Sequence, residues 1–379
     1  MNVPKLRFKE FNDEWSFTEL AKISSDISYG MGLASKEYDG VNKYIRITDI
    51  DEKTNKYSNK DIVSPDGVLE DKYLVNKNDI LFARTGASTG KTYLYDEKDG
   101  KLYFAGFLIR ANIFNHDANF IFQQTKTNKY NKWVKIMSMR SGQPGINSQE
   151  YGSYKFSITS PEEEEKISKT LNLLDKKIEL QTKKIEDLKL FKKGLIFEAK
   201  KDKSDWKEFY IKDIFKITRG IVIPKTELTN TITDENIYPV YSSQTSNDGI
   251  LGYDKNYDFD GKYLTWTTDG ANAGSVFYRN GKFRCTNVCG VLYNKNNNYV
   301  NEIIAELLNL ETPKYVSYVG NPKLMNNVMA DIKIELPNLN IQNKIATNLK
   351  LLNDKIVLEN NKLSKLQQLK KGLMQNMFV

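Results

Sequence analysis

A helical pattern occurs twice in this chain of 379 residues, with the second copy 178 positions after the first. In both copies Leu and Ile recur at alternating steps of four and three residues, which is the a/d seam of a two-helix coiled coil. Polar residues interrupt both seams at the same two places, and both copies end in Lys-Lys-Gly-Leu. Shared interruptions indicate an internal duplication. The predicted seam residues are Ile167, Leu171, Leu174, Ile178, Gln181, Ile185, Leu188, Leu195, Ile345, Leu349, Leu352, Ile356, Glu359, Leu363, Leu366 and Leu373.

The duplication extends into the segment that precedes each helix. Glu14-Trp15 and Asp205-Trp206 introduce the two halves, and each half has a strand-like run that ends in a Gly-Ala-x-x-Gly loop, at 86–90 and 270–274. A further matched segment, 142–145 or 320–323, comes before each helix. The stretches between these landmarks are rich in Tyr, Phe, Thr, Val, Gly and Asn with frequent turn signals, which predicts mixed β structure.

The predicted fold class is α+β, with two mixed α/β domains in tandem repeat separated by two long antiparallel coiled-coil helices and related by pseudo-two-fold symmetry. The predicted bounds are 1–159 for the first domain, 160–199 for the central helix, 200–336 for the second domain and 337–379 for the C-terminal helix. Antiparallel pairing is favoured because the second domain must connect the end of the first helix to the start of the second. Parallel pairing would separate those ends by about 50 Å.

The polar interruptions suit this arrangement. In a symmetric antiparallel pair, Gln181 would face Glu359, and a buried polar layer would penalise other registers. The alternative is that both side chains are solvated.

Composition restricts the classes of function. Lys and Arg number 56 against 48 Asp and Glu, a net charge of +8 that suits a polyanionic partner without requiring one. Two cysteines and one histidine give neither a disulfide framework nor a zinc ligand set. There is no secretory leader and no apolar run long enough for a membrane span, so a cytoplasmic protein is expected.

The sequence matches known catalytic and nucleotide-binding motifs only in part. Residues 86–92 read Gly-Ala-Ser-Thr-Gly-Lys-Thr, but a phosphate loop needs four residues between its glycines and here there are three. Asp66 with 70–72 or 96–98 could supply the carboxylates of a metal-dependent nuclease, yet the second half has no equivalent, and solvated turns are the simpler interpretation. We predict no active site and no metal site, and we expect Cys285 and Cys289 to be buried free thiols.

Polar loops remain as candidate contact surfaces. Arg, Asn and Gln can make bidentate contacts with base edges, whereas Ser, Thr and Lys suit phosphates. For any single residue the alternative is an ordinary polar loop. The candidate DNA-binding residues are Arg46, Arg84, Thr85, Ser88, Thr89, Lys91, Arg140, Ser141, Gln143, Asn147, Arg219, Ser243, Gln244, Thr268, Asp269, Asn272, Arg279, Lys323, Asn326 and Asn327.

Taken in their duplicated order, these motifs resemble the specificity subunit of a type I restriction–modification system. The resemblance covers essentially the whole chain and rests on the Trp15 and Trp206 segments, the paired glycine loops, the 142–145 segment and the helices that end in Lys-Lys-Gly-Leu. Members of that family usually carry Glu-Gln at the start of each helix. In this chain we assign those positions to Glu164-Glu165 and Ile341-Gln342, so each helix start keeps only one residue of the Glu-Gln pair.

The resemblance implies that each domain reads one half of a bipartite, gapped site in double-stranded DNA. It also implies that the helices set the spacing and bind two methyltransferase subunits, which restriction/translocase subunits then join. The chain itself would be non-catalytic, with S-adenosylmethionine, ATP and Mg in the partner subunits. Two alternatives stay open: a self-contained two-domain restriction endonuclease, and a coiled-coil scaffold that binds no DNA.

Overall fold

The computed structural model describes residues 3–139, 144–201, 206–294 and 298–379. The chain divides into two compact units: unit 1 comprises Met1–Gln181 and Lys362–Val379, and unit 2 comprises Thr182–Asn361. Each unit thus contains one globular half of the sequence and a part of both long helices. The predicted fold class, with two mixed units in tandem and two long helices, is confirmed.

Both units combine β-strands with α-helices, which are numbered in chain order. The strands of unit 1 are β1 (Ser16–Glu19), β2 (Ser24–Tyr29), β3 (Ala34–Glu37), β4 (Lys43–Ile45), β5 (Val63–Asp66), β6 (Asp79–Ala83), β7 (Thr92–Leu94), β8 (Leu102–Phe104), β9 (Leu108–Ile113) and β10 (Lys155–Ile158). The strands of unit 2 are β11 (Lys207–Tyr210), β12 (Lys216–Arg219), β13 (Tyr238–Tyr241), β14 (Ile250–Asp254), β15 (Phe259–Thr267), β16 (Val276–Cys285), β17 (Cys289–Tyr293) and β18 (Lys333–Leu336). The helices are α1 (Ala118–Gln124), α2 (Asn128–Met137), α3 (Ser148–Gly152), α4 (Pro161–Ala199), α5 (Ile211–Ile214), α6 (Glu302–Glu311), α7 (Asn326–Ala330) and α8 (Leu339–Asn376).

A four-stranded antiparallel sheet, in the order β2-β9-β6-β7, forms the centre of unit 1. Strand β6 is buried along its whole length, and its apolar residues 80–83 suit a strand covered on both faces. The buried carboxylate of Asp79 accepts hydrogen bonds from Asn76 N and from Asn112 Nδ2, each at 2.7 Å. Ile80 and Phe82 face an aromatic core that also contains side chains of α1, α2 and α3, while Leu81 and Ala83 pack into a second cluster on the other face. The sheet therefore separates two cores.

The long helices complete the aromatic core of unit 1. Ile167 and Leu171 of α4 belong to it, together with Met374 near the end of α8. Further along α4, Asp175 forms an ion pair at 2.5 Å with Lys370, which precedes Met374 in α8. Later residues of α4 thus meet earlier residues of α8, so the two segments in unit 1 run antiparallel.

Unit 2 is built on a six-stranded sheet with the order β12-β17-β15-β16-β13-β14, in which β13 and β16 run parallel and the other neighbours antiparallel. Residues alternate across it because successive strand side chains point to opposite faces. Leu264 and Leu292 lie in the main core with α6, whereas Phe283 and Val291 pack on the other face with both cysteines. Cys285 and Cys289 are free and buried, as predicted.

The helix segments of unit 2 pair in the same sense as those of unit 1. Ile196 of α4 shares the main core with Ala346 and Leu349 of α8. Nearer the middle of the helices, Lys184 donates a 2.9 Å hydrogen bond to the buried carboxylate of Glu359. These segments therefore also run antiparallel.

The predicted seam residues are all shielded from solvent to some degree. The buried ones are Ile167, Leu171, Leu174, Ile185, Leu349, Leu352 and Glu359. The half-buried ones are Ile178, Gln181, Leu188, Leu195, Ile345, Ile356, Leu363, Leu366 and Leu373. The facing of Gln181 and Glu359 stays a prediction.

A buried carboxylate fixes the start of α4 in unit 1. Arg7 donates to Glu163 through Nε at 2.7 Å and Nη2 at 2.8 Å, and Trp15 Nε1 and Thr159 Oγ1 donate at 3.1 and 2.6 Å. Burial raises the pKa of Glu163, but the hydrogen bonds from Arg7 and Thr159 and the Arg7 charge outweigh it, so the pKa lies below its usual value. The carboxylate ties the N-terminal segment to the helix.

The helix-start motif is shifted by one residue from its predicted place. Glu163 and Glu164 are buried, whereas Glu165 is 58% exposed and forms only an ion pair within the helix. Gln342, which is 178 positions after Glu164, is equally buried and donates to a backbone carbonyl oxygen. The assignment to Glu164-Glu165 was therefore wrong, because a run of consecutive acids carries no register of its own.

Replacing Glu163 by Ala will destabilise unit 1 by about 3–5 kcal/mol, since Arg7 would keep a nearly buried charge without its carboxylate. Glu165→Ala, the control two residues away, will change stability by less than about 0.5 kcal/mol. Above about pH 4.5 the wild type will have a larger free energy of unfolding than Glu163→Gln. This difference will decline as the pH falls through the lowered pKa of Glu163 in the folded state. Urea unfolding at several pH values measures both effects, and equal losses in the two alanine variants would contradict this role.

Candidate nucleic-acid interface

The two glycine loops have the same backbone hydrogen bonds. Gly90 donates its N–H to Ala83 O at 2.9 Å, and Gly274 donates to Thr267 O at 2.8 Å. The glycines at both ends of each loop have φ between 74° and 94°, a region that residues with a Cβ rarely adopt. The repeated Gly-Ala-x-x-Gly pattern is thus a repeated turn at the end of a buried strand.

Each loop is contacted by the proline segment that precedes the last short helix of its unit. Gly86 donates its N–H to Pro144 O at 3.0 Å, and Gly270 donates to Pro322 O at 2.9 Å. Isolated β-bridges join Thr85 to Gly145 and Asp269 to Lys323. The structure therefore brings together, in both units, two segments that the sequence matched only by their order.

A strand end completes each arrangement. Tyr29 ends β2, and its hydroxyl oxygen accepts a 3.1 Å hydrogen bond from Ser148 N. Arg219 ends β12, and its Nη2 donates to Asn326 Oδ1 at 3.3 Å. The glycine after each of them is required, because an added Cβ would lie within 2.4 Å of a backbone carbonyl oxygen. Tyr29 and Arg219 therefore occupy equivalent positions.

We call these two groups loop cluster 1 and loop cluster 2. Loop cluster 1 of unit 1 consists of Tyr29, Arg84, Thr85, Ser88, Thr89, Phe107, Asn147 and Ser148. Loop cluster 2 of unit 2 consists of Arg219, Asp269, Asn272, Lys323, Asn326 and Asn327. The backbone frame is common, but the side chains on it differ.

The side chains of loop cluster 1 include a stacked pair. The Arg84 guanidinium lies 4.7 Å from the centre of the Tyr29 ring, and Phe107 beside it is 63% exposed. The hydrogen bond from Ser148 lowers the pKa of Tyr29, burial opposes this, and the Arg84 charge assists it. The half-buried guanidinium is held on the ring and has one long contact, from Nη1 to Gly106 O at 3.5 Å, so its other donors lie in a fixed plane, which suits base edges and phosphates.

Loop cluster 2 is polar and charged. Lys323 and Asp269 lie 3.9 Å apart, and the Lys323 side chain is 51% exposed. Asn272 and Asn327 are exposed, and Asn326 is held by Arg219. Amide and ammonium groups can donate to bases or phosphates, so the two clusters offer different donor and acceptor patterns on one frame.

Three predicted DNA-binding residues have intramolecular partners. Arg279 is buried, and it donates to the Asp248 side chain at 2.7 Å and to the Asp248 backbone O at 2.8 Å. Thr268 is buried and donates to Asp269 Oδ2. Arg46 forms a two-fold hydrogen bond with Asp49 at the start of a short turn. Arg279 and Thr268 therefore lie in the interior with intramolecular partners, which argues against their direct contact with DNA. Arg46 is 32% exposed, and it stays a predicted DNA-binding residue.

The other predicted residues fall in three places. Lys91 follows the first glycine loop and donates to Ile50 O at 3.1 Å. Ser243 and Gln244 are half-buried in the loop between β13 and β14, where Gln244 Nε2 donates to Ile250 O. Arg140, Ser141 and Gln143 lie outside the described residues.

Sequence reasoning missed Tyr29 and Phe107. The available signal was the pattern of one residue followed by glycine at the end of the second strand of each half, Tyr29-Gly30 and Arg219-Gly220. Phe107 has no such signal, because only the structure shows that its carbonyl oxygen accepts from Arg84 N and that its ring is exposed.

Of the carboxylates considered for a nuclease, Asp66 is the exposed last residue of β5, and Asp96 lies in a turn, where it accepts from Lys98 N at 3.1 Å. In the described ranges, His, Cys, Asp and Glu side chains form no group of three or more that could hold a metal ion. Within those same ranges, no helix has the length and apolar character of a membrane span.

Comparisons with known proteins agree with this geometry. The specificity subunit of the MpnII type I restriction enzyme of Mycoplasma pneumoniae is 49% identical over 151 residues, which are 38% of this chain and 44% of that protein. A second M. pneumoniae protein, named as the N-terminus of a type I specificity subunit, is 48% identical over 142 residues, or 37% of this chain and 74% of its own length. The matches thus span between 44% and 74% of these relatives.

The fold is also found among solved structures. The type I restriction–modification S subunit of M. genitalium matches 100% of this chain and 99% of its own, with a TM-score of 0.71 and 16% identity. At that identity the likeness shows the fold alone. The sequence profile described as the type I restriction modification DNA specificity domain matches residues 16–190 and 203–368. Two tandem matches over most of the chain confirm the resemblance, and the chain belongs to the type I restriction–modification DNA specificity family.

Proposed function

We propose that this chain is the sequence-reading subunit of a type I restriction–modification complex and that unit 1 and unit 2 each read one half of a bipartite, gapped site in double-stranded DNA. The observation that carries the proposal is the repeated loop cluster, because a common backbone frame carries different side chains in the two units. The matched positions, unit 1 first, are Tyr29 and Arg219, Thr85 and Asp269, and Gly145 and Lys323. Arg84 matches Thr268, which is buried, so unit 2 has no cation at that position.

The chemistry of these positions supports sequence reading more than general DNA binding. Base identity is read through donor and acceptor patterns, whereas phosphate contacts position the protein without specifying sequence. A frame that stays fixed while its donors and acceptors change would give two units that bind DNA in the same way and prefer different bases.

Arg84→Ala will relax recognition of one half-site, and Lys323→Ala will relax recognition of the other. Loss of one base contact costs about 1–3 kcal/mol, or roughly a 5- to 150-fold loss of discrimination. The measurement is competition binding by the assembled complex to duplexes in which one half-site at a time is randomised. Each variant is the control for the other, and relaxation of both half-sites by a single substitution would count against independent reading.

An exposed apolar stripe on the long helices supports docking of partner subunits. In unit 1, Leu173, Leu180 and Leu369 are 53–63% exposed. In unit 2, the residues 178 positions away from these, Leu351, Leu358 and Phe191, are 53–65% exposed. The seven-residue spacing from Leu173 to Leu180, and from Leu351 to Leu358, returns to the same face of one helix. Each unit therefore presents the same three exposed apolar positions.

Two copies of one stripe suit two copies of one partner. We infer that the partners are the two methyltransferase subunits of the complex, with the restriction/translocase subunits joining through them. The chain would then be non-catalytic, and S-adenosylmethionine, ATP and Mg would be bound by the partners. Exposed positions on a helix can be polar unless a partner covers them. Apolar residues at the same three exposed positions in both units therefore fit a partner that docks on each unit.

A further inference from the structure

An open polar cleft lies beside the first glycine loop. Its volume is about 350 Å³, and its lining includes Ser88, Lys91, Lys126, Asn131 and Glu52. All of these residues belong to unit 1. Two lysines against one carboxylate leave the lining positive.

Lys126 is the unusual group in this cleft. Its ammonium lies 4.1 Å from the centre of the Phe122 ring and forms no hydrogen bond or ion pair with the part of the chain that the structure describes. Burial lowers the pKa of Lys126 to about 8; Lys370 adds to the shift, and Asp175 opposes it. Asp175 is already paired with Lys370. An ammonium that lies on an aromatic ring in an open cleft and pairs with no carboxylate in the described ranges can take an anion as its partner.

Lys91 adds a second cation. Its side chain is only 13% exposed, and Nζ is held by Ile50 O at 3.1 Å. The nearest carboxylate oxygen, on Glu52, is 3.6 Å away on a side chain that is 82% exposed, so solvent screens this pair strongly. Glu52 can turn into solvent and leave the ammonium to another anion.

Unit 2 lacks both cations at the matched positions. The glycine loops and the capping residues of α1 and α6, Asp117 and Asn301, are all 184 positions apart in the two units. The same offset places Ser275 opposite Lys91 and Leu310 opposite Lys126. The lysines are therefore not needed to build this loop and helix, which favours a role in binding over a role in folding.

We propose that this cleft binds an oxyanion of the phosphate class, with Lys126 and Lys91 supplying charge and Ser88 and Asn131 supplying hydrogen bonds. Phosphate oxygens accept strong charge-assisted hydrogen bonds from lysine. The anion can be a DNA backbone phosphodiester or a free phosphate group, and only the first source rests on the proposed function.

The first experiment titrates the full-length chain with inorganic phosphate, followed by phosphorus NMR. Lys126→Leu and Lys91→Ser introduce the residues that unit 2 carries, and each will weaken phosphate binding by at least about tenfold. Lys60→Leu, which removes the same charge from an exposed loop, will leave it unchanged. The thermal midpoint of each variant establishes that it is folded. Wild-type phosphate affinity in both cleft variants, or no phosphate binding by the wild type, would overturn the proposal.

The second experiment separates the two sources of phosphate by the salt dependence of duplex binding in the assembled complex. If the cleft holds a backbone phosphate, each lysine variant will reduce the slope of log affinity against log salt by about one. An unchanged slope together with lost phosphate binding assigns the cleft to a free phosphate group. A wild-type complex that binds no DNA would refute the proposed function, while the phosphate titration would still decide the cleft.

Discussion

With aspartate at both Leu171 and Leu349, neither unit of this chain will fold. Both side chains are fully buried, Leu171 in the aromatic core of unit 1 and Leu349 in the main core of unit 2. Loss of a buried leucine costs about 2–5 kcal/mol, and an unpaired buried carboxylate adds several kcal/mol more. A typical domain is stable by only about 5–15 kcal/mol. Circular dichroism and urea unfolding measure the loss.

The control for this variant lies two residues away on each helix. Leu173 is 63% exposed and Leu351 is 65% exposed, so aspartate at both will change stability by less than about 0.5 kcal/mol. If Leu171→Asp with Leu349→Asp unfolded at the wild-type urea concentration, the assignment of these helices to the two cores would be wrong.

Aspartate at Leu173 and Leu351 gives the second large effect, which is on the binding of the methyltransferase subunits. A charge at the centre of an apolar contact costs about 2 kcal/mol or more, so each substitution will weaken methyltransferase binding by at least about thirtyfold. Because each unit carries one stripe, each substitution will remove one bound methyltransferase subunit. The wild type will bind two methyltransferase subunits, Leu173→Asp or Leu351→Asp alone will bind one, and the double variant will bind none.

Light scattering of the mixed subunits at concentrations near the wild-type dissociation constant measures this stoichiometry. Lys176→Asp and Asp354→Lys are suitable controls, since both positions are exposed on the same helices and are not part of the stripe. Two bound methyltransferase subunits in the Leu173→Asp, Leu351→Asp variant would place docking elsewhere on the chain.

The architecture was readable from sequence because it depends on periodicity. Helix α4, predicted at 160–199, occupies Pro161–Ala199, and α8, predicted at 337–379, occupies Leu339–Asn376. A seam that repeats every three and four residues over such lengths leaves little freedom in where a helix begins and ends. The glycine loops were found for a similar reason, since positive φ requires glycine at fixed positions.

The candidate interface was only partly readable, because the burial of a polar side chain depends on tertiary partners. Arg279 is of a residue type that often contacts DNA, yet it is buried against Tyr241 and Asp248. Tyr29 is an aromatic residue in a strand, which is typical of a core position, yet its ring is partly exposed beneath Arg84. No local pattern distinguishes these cases. The two stripes were also missed, because a seam analysis registers only the apolar residues that fit the seam.

The central claim is that the two units read two different half-sites for one methyltransferase activity. The most direct test is a genome-wide map of adenine methylation, by single-molecule sequencing, in the host with and without this chain and with Arg84→Ala in its place. Loss of methylation from one bipartite, gapped motif on deletion, and relaxation of one half of that motif by Arg84→Ala, is the predicted result. An unchanged map, with the methyltransferase subunit expressed, would contradict the account and favour a nuclease or a scaffold that binds no DNA.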